Sequence, residues 1–168
     1  MDLSTKTDEQ INQMIVNHER APGGRNLPKY PILLEERARR TQLNHKLNLE
    51  KSMERLKNAA RDGVCIAYGD LAKASGVDWS QARHQMNGSN GHLDRLLDLC
   101  HARGLPLLTA ICVNQESVSA CELGDDALAG FTTGARRLGL LVADPRAFHH
   151  QCRAECWAWG KTQVGAVS

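Results

Sequence analysis

Residues 66–88 read IAYGDLAKASGVDWSQARHQMNG, and this stretch decides the fold. It predicts two short helices joined by a tight turn, which is a helix-turn-helix. Leu71 and Ala72 face inward in the first helix, and Gly76 can take the positive φ that a helix C-terminus favours. The carboxylate of Asp78 is expected to cap the second helix. The Asn-Gly pair at the end of the stretch closes that helix.

The second helix of this motif is rich in side chains that can hydrogen-bond phosphates or base edges. They are Ser80, Gln81, Arg83, His84 and Gln85. Such a helix predicts a surface that recognises DNA. The alternative is a short corner between helices whose polar residues only face solvent, and the sequence leaves both interpretations open.

Length and composition are those of one ordinary globular domain with an appended arm. The chain has 168 residues, of which 42% are hydrophobic, 24% are charged and 4% are aromatic. The core must therefore be built mainly from Leu, Ala, Val and Ile. A formal net charge of +2 permits nucleic-acid binding without demanding it.

The sequence predicts a cytoplasmic protein without a membrane partner. No apolar run is long enough for a membrane span, and the opening residues MDLSTKTDEQ lack the basic and apolar regions of a secretion signal. The six cysteines fall mostly in predicted helices or strands. In a reducing compartment they are expected to be small buried hydrophobic residues.

The N-terminal residues 1–31 are predicted to be an amphipathic arm followed by a Pro/Gly linker. Thr7 and Gln10 have the spacing of a capping box, and the helix that they start ends near Arg20. Residues 21–31 contain three prolines and two glycines, so we expect an extended connector. The predicted main domain covers residues 32–160, and a flexible tail covers residues 161–168.

Residues 32–61 contain no Gly or Pro, which predicts one long helix before the helix-turn-helix. Its apolar seam is formed by Leu49, Met53, Leu56 and Ala60. The same segment concentrates basic residues, among which Arg39, Arg40 and Lys46 are candidates for phosphate contacts. A solvated face with local ion pairs is the other interpretation.

The rest of the chain adds small strands among helices. Strands are predicted at residues 64–66 and 106–113, and helices at residues 91–103, 126–138 and 145–159. Asp144 is expected to cap the last helix, with Pro145 at its first position and Gly160 near its end. The predicted fold class is mainly α with a small β component, and a helix-turn-helix beside small strands suggests a winged-helix-like domain.

The motif resembles the winged-helix DNA-binding domain of the O6-alkylguanine-DNA alkyltransferases and the alkyltransferase-like proteins. The resemblance rests on residues 68–72, which match a Tyr-x-x-Leu-Ala pattern, and on the Ala82-Arg83 pair in the second helix. It covers about 25 residues. It implies that Tyr68 lies against the phosphate of a rotated nucleotide and that Arg83 enters the base stack from the minor groove.

The chain departs from that family at the reactive thiol. The family has a Pro-Cys-His-Arg loop after its recognition helix, whereas residues 105–109 here read LPLLT. Residues 100–103 read CHAR and imitate the motif, but Cys100 falls on the apolar face of a predicted helix, where a thiol is inert. The resemblance therefore implies DNA binding without alkyl transfer.

Other chemistry has little support in the sequence. His149, Cys152 and Cys156 share one helical face, with Cys121 as a conceivable fourth metal ligand, but no Cys-x-x-Cys pair accompanies them. His92 with Asp94 or Asp98 could form an acid–base pair, although an Asp at a helix start ordinarily serves the helix dipole. We expect no metal site, no cofactor and no catalytic residue.

The sequence thus predicts a noncatalytic protein that binds double-stranded DNA, a bacterial or phage regulator with a helix-turn-helix. The candidate DNA-binding residues are Tyr68, Ser80, Gln81, Arg83, His84, Gln85, Arg39, Arg40 and Lys46. The alternative is a protein–protein interaction module, an adaptor or inhibitor that uses the N-terminal arm or the long helix to engage a host protein or nucleoprotein complex.

Overall fold

The fold is mainly helical, as predicted, with a very small β component. The computed structural model describes residues 2–88 and 90–165. Its helices are α1 (Asp8–Arg20), α2 (Lys29–Asn44), α3 (Leu49–Asp62), α4 (Tyr68–Ala74), α5 (Trp79–Met86), α6 (His92–Ala102), α7 (Asp125–Arg137) and α8 (Pro145–Gly165). Strands β1 (Ile66–Ala67) and β2 (Cys112–Val113) pair in parallel. The helix pairs α3 with α8 and α2 with α6 form the core, α1 lies on α2, and α7 contacts α6 and α8.

Helix ends that depend on local capping are where the sequence predicts them. The Thr7 hydroxyl accepts from the Gln10 backbone N–H at 3.2 Å, and the Gln10 side chain accepts from the Thr7 N–H at 2.8 Å. Gly76 has φ +70° at the turn after α4. The Asp144 carboxylate accepts from the Ala147 N–H at 3.1 Å at the start of α8. The capping predictions for α1, α4 and α8 are confirmed.

The predicted cap of α5 is wrong in its mechanism. Asp78 occupies the N-cap position, but its side chain makes no capping hydrogen bond. Its backbone carbonyl already accepts from the Gln81 and Ala82 N–H groups, at 3.0 and 2.9 Å. The donors that the carboxylate would have satisfied are therefore partly used by the main chain.

The predicted long helix is in fact two helices, because the chain breaks at residues 45–48. The Gln42 side chain supports the break: its amide donates to the carbonyls of His45 and Leu47, and its oxygen accepts from the Leu49 N–H at 2.6 Å. Leu47 is fully buried, and Asn48 caps α3. Good helix formers lie on both sides, but the chain does not continue as one helix. The burial of Leu47 and the cap of α3 compensate for the helical hydrogen bonds that are lost at the break. The seam predicted on α3 is buried throughout.

The predicted extended connector also contains helical structure. Residues Gly24–Asn26 form a 3₁₀ turn, and α2 begins at Lys29. Pro31 lies in the first turn of α2, where the backbone N–H that proline lacks would have no helical partner. The amphipathic face of α1 is not left open, because Ile11 and Ile15 are buried in the same core cluster as α2.

The predicted strand at residues 106–113 is wrong except at its end. Residues Leu108–Ile111 form a buried 3₁₀ turn against α3, α6 and α8, and only Cys112–Val113 is a strand. His149 in α8 contacts the Ala110 carbonyl at 2.8 Å, so this turn is held by another element. A short apolar run is compatible with a strand or with a buried turn, and the packing decides between them.

The last helix does not end at Gly160. A Cβ atom on Gly160 would collide with the carbonyl of Ala60, so this glycine allows α3 and α8 to cross closely. α8 then continues to Gly165, which makes residues 161–165 of the predicted tail helical. Residues 166–168 of that tail lie outside the described part of the chain.

Two of the six cysteines are not simple buried thiols. Cys65 and Cys121 form a disulfide with a Cα–Cα distance of 5.7 Å, and it joins the segment before β1 to the loop after β2. Cys100, Cys112, Cys152 and Cys156 are free and buried, as predicted. In the part of the chain that the structure describes, no helix has the length and apolar character to cross a membrane.

Candidate nucleic-acid interface

The helix-turn-helix predicted from the sequence is present as α4, a four-residue turn at residues 75–78 and α5. Leu71 and Ala72 of α4 and Ala82 and Met86 of α5 are buried, so one face of the motif belongs to the core. The opposite face of α5 points outward. Helix α5 therefore presents its polar residues on the surface, as a recognition helix would.

Four of the predicted contact residues on α5 are exposed: Ser80, Gln81, Arg83 and His84. Arg83 makes no hydrogen bond or ion pair with any described residue. In residues 75–86, which include α5 and the turn before it, Asp78 is the one residue with a carboxylate. The Arg83 guanidinium is available to a ligand without first breaking an internal contact.

The structure brings Lys46 to α5, although the two are far apart in the sequence. The Lys46 ammonium donates to the Gln81 side-chain oxygen at 2.9 Å. The backbone N–H groups of Lys46 and Leu47 donate to the Gln85 side-chain oxygen at 3.0 and 3.4 Å. Gln85 is half-buried and fixes the loop between α2 and α3, so its observed contacts are structural. Lys46, Lys73 and Arg83 provide the cationic side chains of this region.

The two arginines predicted on the long helix serve other contacts. Arg39 donates to both oxygens of Glu36, at 2.8 and 2.9 Å. Arg40 also binds Glu36, at 2.7 Å, together with Asp8 and the backbone carbonyls of Leu3 and Lys6, each at 2.8 Å. These hydrogen bonds, from Arg39 first, hold the pKa of Glu36 near 2. Arg40 thus ties the N-terminal segment to α2, and neither arginine bonds to α5.

Next to the helix-turn-helix lies a cleft of about 680 Å³. Tyr68 at the start of α4 and Asn87 and Gly88 at the end of α5 form one side of it. Apolar side chains form the walls: Leu93, Leu97, Leu123 and Phe131. We call this space the α6–α7 cleft. Its volume is within the range of sites for small organic ligands.

Several polar side chains converge on the α6–α7 cleft. Tyr68, Asn87, Asp94, Thr109 and Asn114 line it, and none of these side chains hydrogen-bonds to another described residue. Tyr68 is only 8% exposed and Thr109 only 6%. Burial raises the pKa of Tyr68 and the pKa of Asp94. A buried hydroxyl without a partner, as at Thr109, is energetically costly.

Of these residues, the sequence predicts a DNA contact for Tyr68 alone, and it names Asp94 only as an acid–base partner of His92. Thr109 lies within the predicted strand at residues 106–113, and Asn114 directly follows it. The one available signal was Thr109, a polar residue inside an otherwise apolar run. Thr109 in the turn Leu108–Ile111, Asn114 after β2 and Asp94 in α6 meet Tyr68 of α4 only through the tertiary fold.

The other candidate sites are occupied by internal contacts. His92 pairs with the Ser52 hydroxyl at 2.7 Å, whereas Asp98 binds arginines, so these two residues form no acid–base pair. Cys100 is fully buried, as predicted, and burial raises the pKa of its thiol to about 12. Such a thiol is not an activated nucleophile.

Of the metal-site candidates, His149 contacts the Ala110 carbonyl and Cys156 donates to the Leu107 carbonyl at 3.3 Å. A different group, Glu122, His149 and His150, places one ligand atom from each residue within 4.8 Å of the others. Two arginines, Arg146 and Arg153, also bind Glu122, at 3.2 and 3.5 Å. Their positive charge opposes a cation at this position.

Comparison of the chain with protein-family models, with curated proteins and with solved structures finds no match.

Proposed function

We propose that this protein binds double-stranded DNA through the exposed face of α5 and acts as a noncatalytic regulator. The observation that carries the proposal is Arg83, an exposed arginine without a hydrogen bond or ion pair to any described residue, at the centre of a helix of hydrogen-bonding side chains. Arginine forms bidentate contacts with guanine and with phosphate. A surface that the fold leaves unpaired is suited to an external partner.

The surroundings of α5 supply the phosphate contacts. Lys46 is fixed beside Gln81, and Lys73 is exposed on α4. Cationic groups beside a recognition helix neutralise the DNA backbone and orient the protein, and they carry no sequence information. Arg39 and Arg40 belong to the proposed interface only if DNA displaces the carboxylate of Glu36 from them.

The finer assignments are part of this proposal. The winged-helix arrangement is one of them, because the structure supports it only by a helix-turn-helix beside two parallel strands of two residues each. We also propose the resemblance to alkyltransferase-like proteins and the role of a bacterial or phage regulator. They are supported by residues 68–72 and by Ala82-Arg83, which lie on α4 and α5.

The test is fluorescence anisotropy with a pool of labelled duplexes at low and moderate salt. We expect affinity to fall steeply as salt rises, because lysine and arginine contacts release counterions from DNA. Arg83→Ala should weaken binding by about 1–3 kcal/mol. The matched control is Arg20→Ala, which removes the same charge from an exposed, unpaired arginine on α1. Equal affinity of the two variants, with both folded by circular dichroism, would contradict the assignment of α5.

The second candidate function is a protein–protein module, and one surface favours it. A groove of about 760 Å³ runs beside α2 and includes Leu3 from the N-terminal segment. Ile32 and Leu43 on its rim are 51% and 74% exposed. Exposed aliphatic residues around a groove are typical of binding sites for other proteins. Failure of DNA binding together with loss of a protein partner in Leu43→Glu would favour this function.

A further inference from the structure

We propose that the α6–α7 cleft binds a small, planar nitrogen heterocycle, and that this ligand regulates the helix-turn-helix. Binding itself is independent of the proposed function, whereas the regulatory part rests on it. The proposal begins with the shape of the cleft. Its volume of about 680 Å³ accommodates one such ring system, and aliphatic side chains of α6 and the Phe131 ring of α7 form its walls.

The hydroxyl groups of the cleft differ from other buried hydroxyls in the described residues. Ser52 bonds to His92 at 2.7 Å, Thr132 to the Leu128 carbonyl at 3.0 Å, and Tyr30 to Glu19 at 2.9 Å. Thr109 is more than nine-tenths buried, and its buried hydroxyl has no hydrogen-bond partner among the described residues. Tyr68 is also more than nine-tenths buried, and its hydroxyl makes no hydrogen bond to a described residue. A ligand in the cleft would supply the hydrogen bonds that the protein does not.

The chemistry of these groups defines the class of ligand. Two hydroxyls and the amides of Asn87 and Asn114 each offer both donors and acceptors. An edge that alternates donors and acceptors, as in a nitrogen heterocycle, matches them. An anion is disfavoured because Arg137, the cation lining the cleft, is already bound by Asp98 at 2.6 Å. The carboxylates of Asp94 and Asp126 also line the cleft and can accept hydrogen bonds from the ring N–H or amino groups of such a heterocycle.

The position of the cleft connects the ligand to the DNA-binding motif. Tyr68 is the first residue of α4, and Asn87 and Gly88 directly follow α5. A bound heterocycle therefore touches both ends of the helix-turn-helix. It changes DNA affinity to the extent that it favours one arrangement of α4 and α5 over another.

The experiment is a titration of the ¹⁵N-labelled full chain with adenine, cytosine or nicotinamide at millimolar concentration, without DNA. We expect at least one probe to shift the side-chain amide signals of Asn87 and Asn114. Thr109→Val, which removes only the unpartnered hydroxyl, should weaken binding about tenfold, the effect of one hydrogen bond. Thr132→Val, which removes a hydroxyl bonded within α7, is the matched control and should bind as the wild type does.

The outcomes separate the parts of the proposal. No shift with any probe, or equal weakening by both threonine variants, overturns the ligand site. Asn114→Ala gives a second test that does not depend on Thr109. Binding of a probe with unchanged DNA affinity overturns the regulatory part alone. Displacement of the probe by a duplex with an unpaired base, but not by a fully paired duplex, would assign the heterocycle to DNA rather than to a free molecule.

Discussion

Two carboxylates on α6, one turn apart, have opposite surroundings. Asp98 is fully buried and binds Arg37 at 2.8 Å, Arg137 at 2.6 Å and Arg95 at 3.3 Å. Asp94 lines the α6–α7 cleft and has no hydrogen bond to a described residue. The same helix thus carries a carboxylate that the fold uses fully and one that it leaves available.

The difference shows which polar groups serve folding and which are free to bind. Asp98 connects α2, α6 and α7 through its arginines, and Arg137 continues the network to Glu19 on α1 at 3.5 Å. Buried charges are tolerated only when paired in this way. The cleft contains a buried hydroxyl without a partner, that of Thr109, and its cost is expected to be recovered when a ligand binds.

The largest expected effect is the loss of the Asp98 charge. Asp98→Asn should destabilise the protein by about 3–5 kcal/mol, because it leaves buried arginines without their carboxylate. Urea unfolding followed by circular dichroism measures this change. Asp8→Asn is the control: its side chain is 65% exposed and pairs only with Arg40, so we expect less than about 1 kcal/mol. Similar losses in both variants would contradict the structural role of the Asp98 network.

A smaller effect is expected from acid, through His92. Burial lowers the pKa of His92 to about 4 from an ordinary value of 6.5. The unfolded chain therefore binds more protons than the native protein between these values. The stability due to neutral His92 is complete at pH 7 and is lost as the pH falls from about 6.5 to about 4, by about 3 kcal/mol at most.

The test of this acid sensitivity is to measure the unfolding free energies of the wild type and of His92→Gln at about pH 7 and about pH 4.5. Glutamine can keep a hydrogen bond to Ser52 but does not titrate. The variant should lose less stability on acidification than the wild type does. Burial also lowers the pKa values of His45, His101 and His149, so some acid sensitivity should remain. An unchanged pH dependence in the variant would exclude His92 as its main source.

The smallest effects sharpen the comparison between a used and an unused hydroxyl. Thr132→Val should cost about 1 kcal/mol because it removes a hydroxyl bonded within α7. Thr109→Val should cost nothing or stabilise the free protein slightly, because its hydroxyl has no partner. Thermal unfolding of the two variants without ligand measures the difference. A larger loss for Thr109→Val would mean that its hydroxyl already serves the fold.

Local chemistry explains which parts of the fold could be predicted. The capping box at Thr7, the positive φ at Gly76 and the Asp144 cap each act within a few residues, so the sequence specifies these helix ends directly. The helix-turn-helix and the apolar seam of α3 follow from the same short-range patterns. The sequence was equally sufficient to place Cys100 in the core.

Contacts between distant segments decided what the sequence alone could not. The chain breaks at residues 45–48 because Leu47 is buried and Gln42 satisfies the free backbone groups. α8 passes Gly160 because α3 lies against it there.

The surface of α5 and the α6–α7 cleft differ in the same way in how far the sequence predicts them. The sequence by itself determined the surface of α5, because its polar side chains alternate with buried ones within a single helix. The tertiary structure alone decided that Tyr68, Thr109 and Asn114 meet in one cleft and that Asp98 pairs with arginines of α2 and α7. The physical reason is that a helix face is set by the periodicity of neighbouring residues, whereas the pairing of buried polar groups depends on which segments the core brings together.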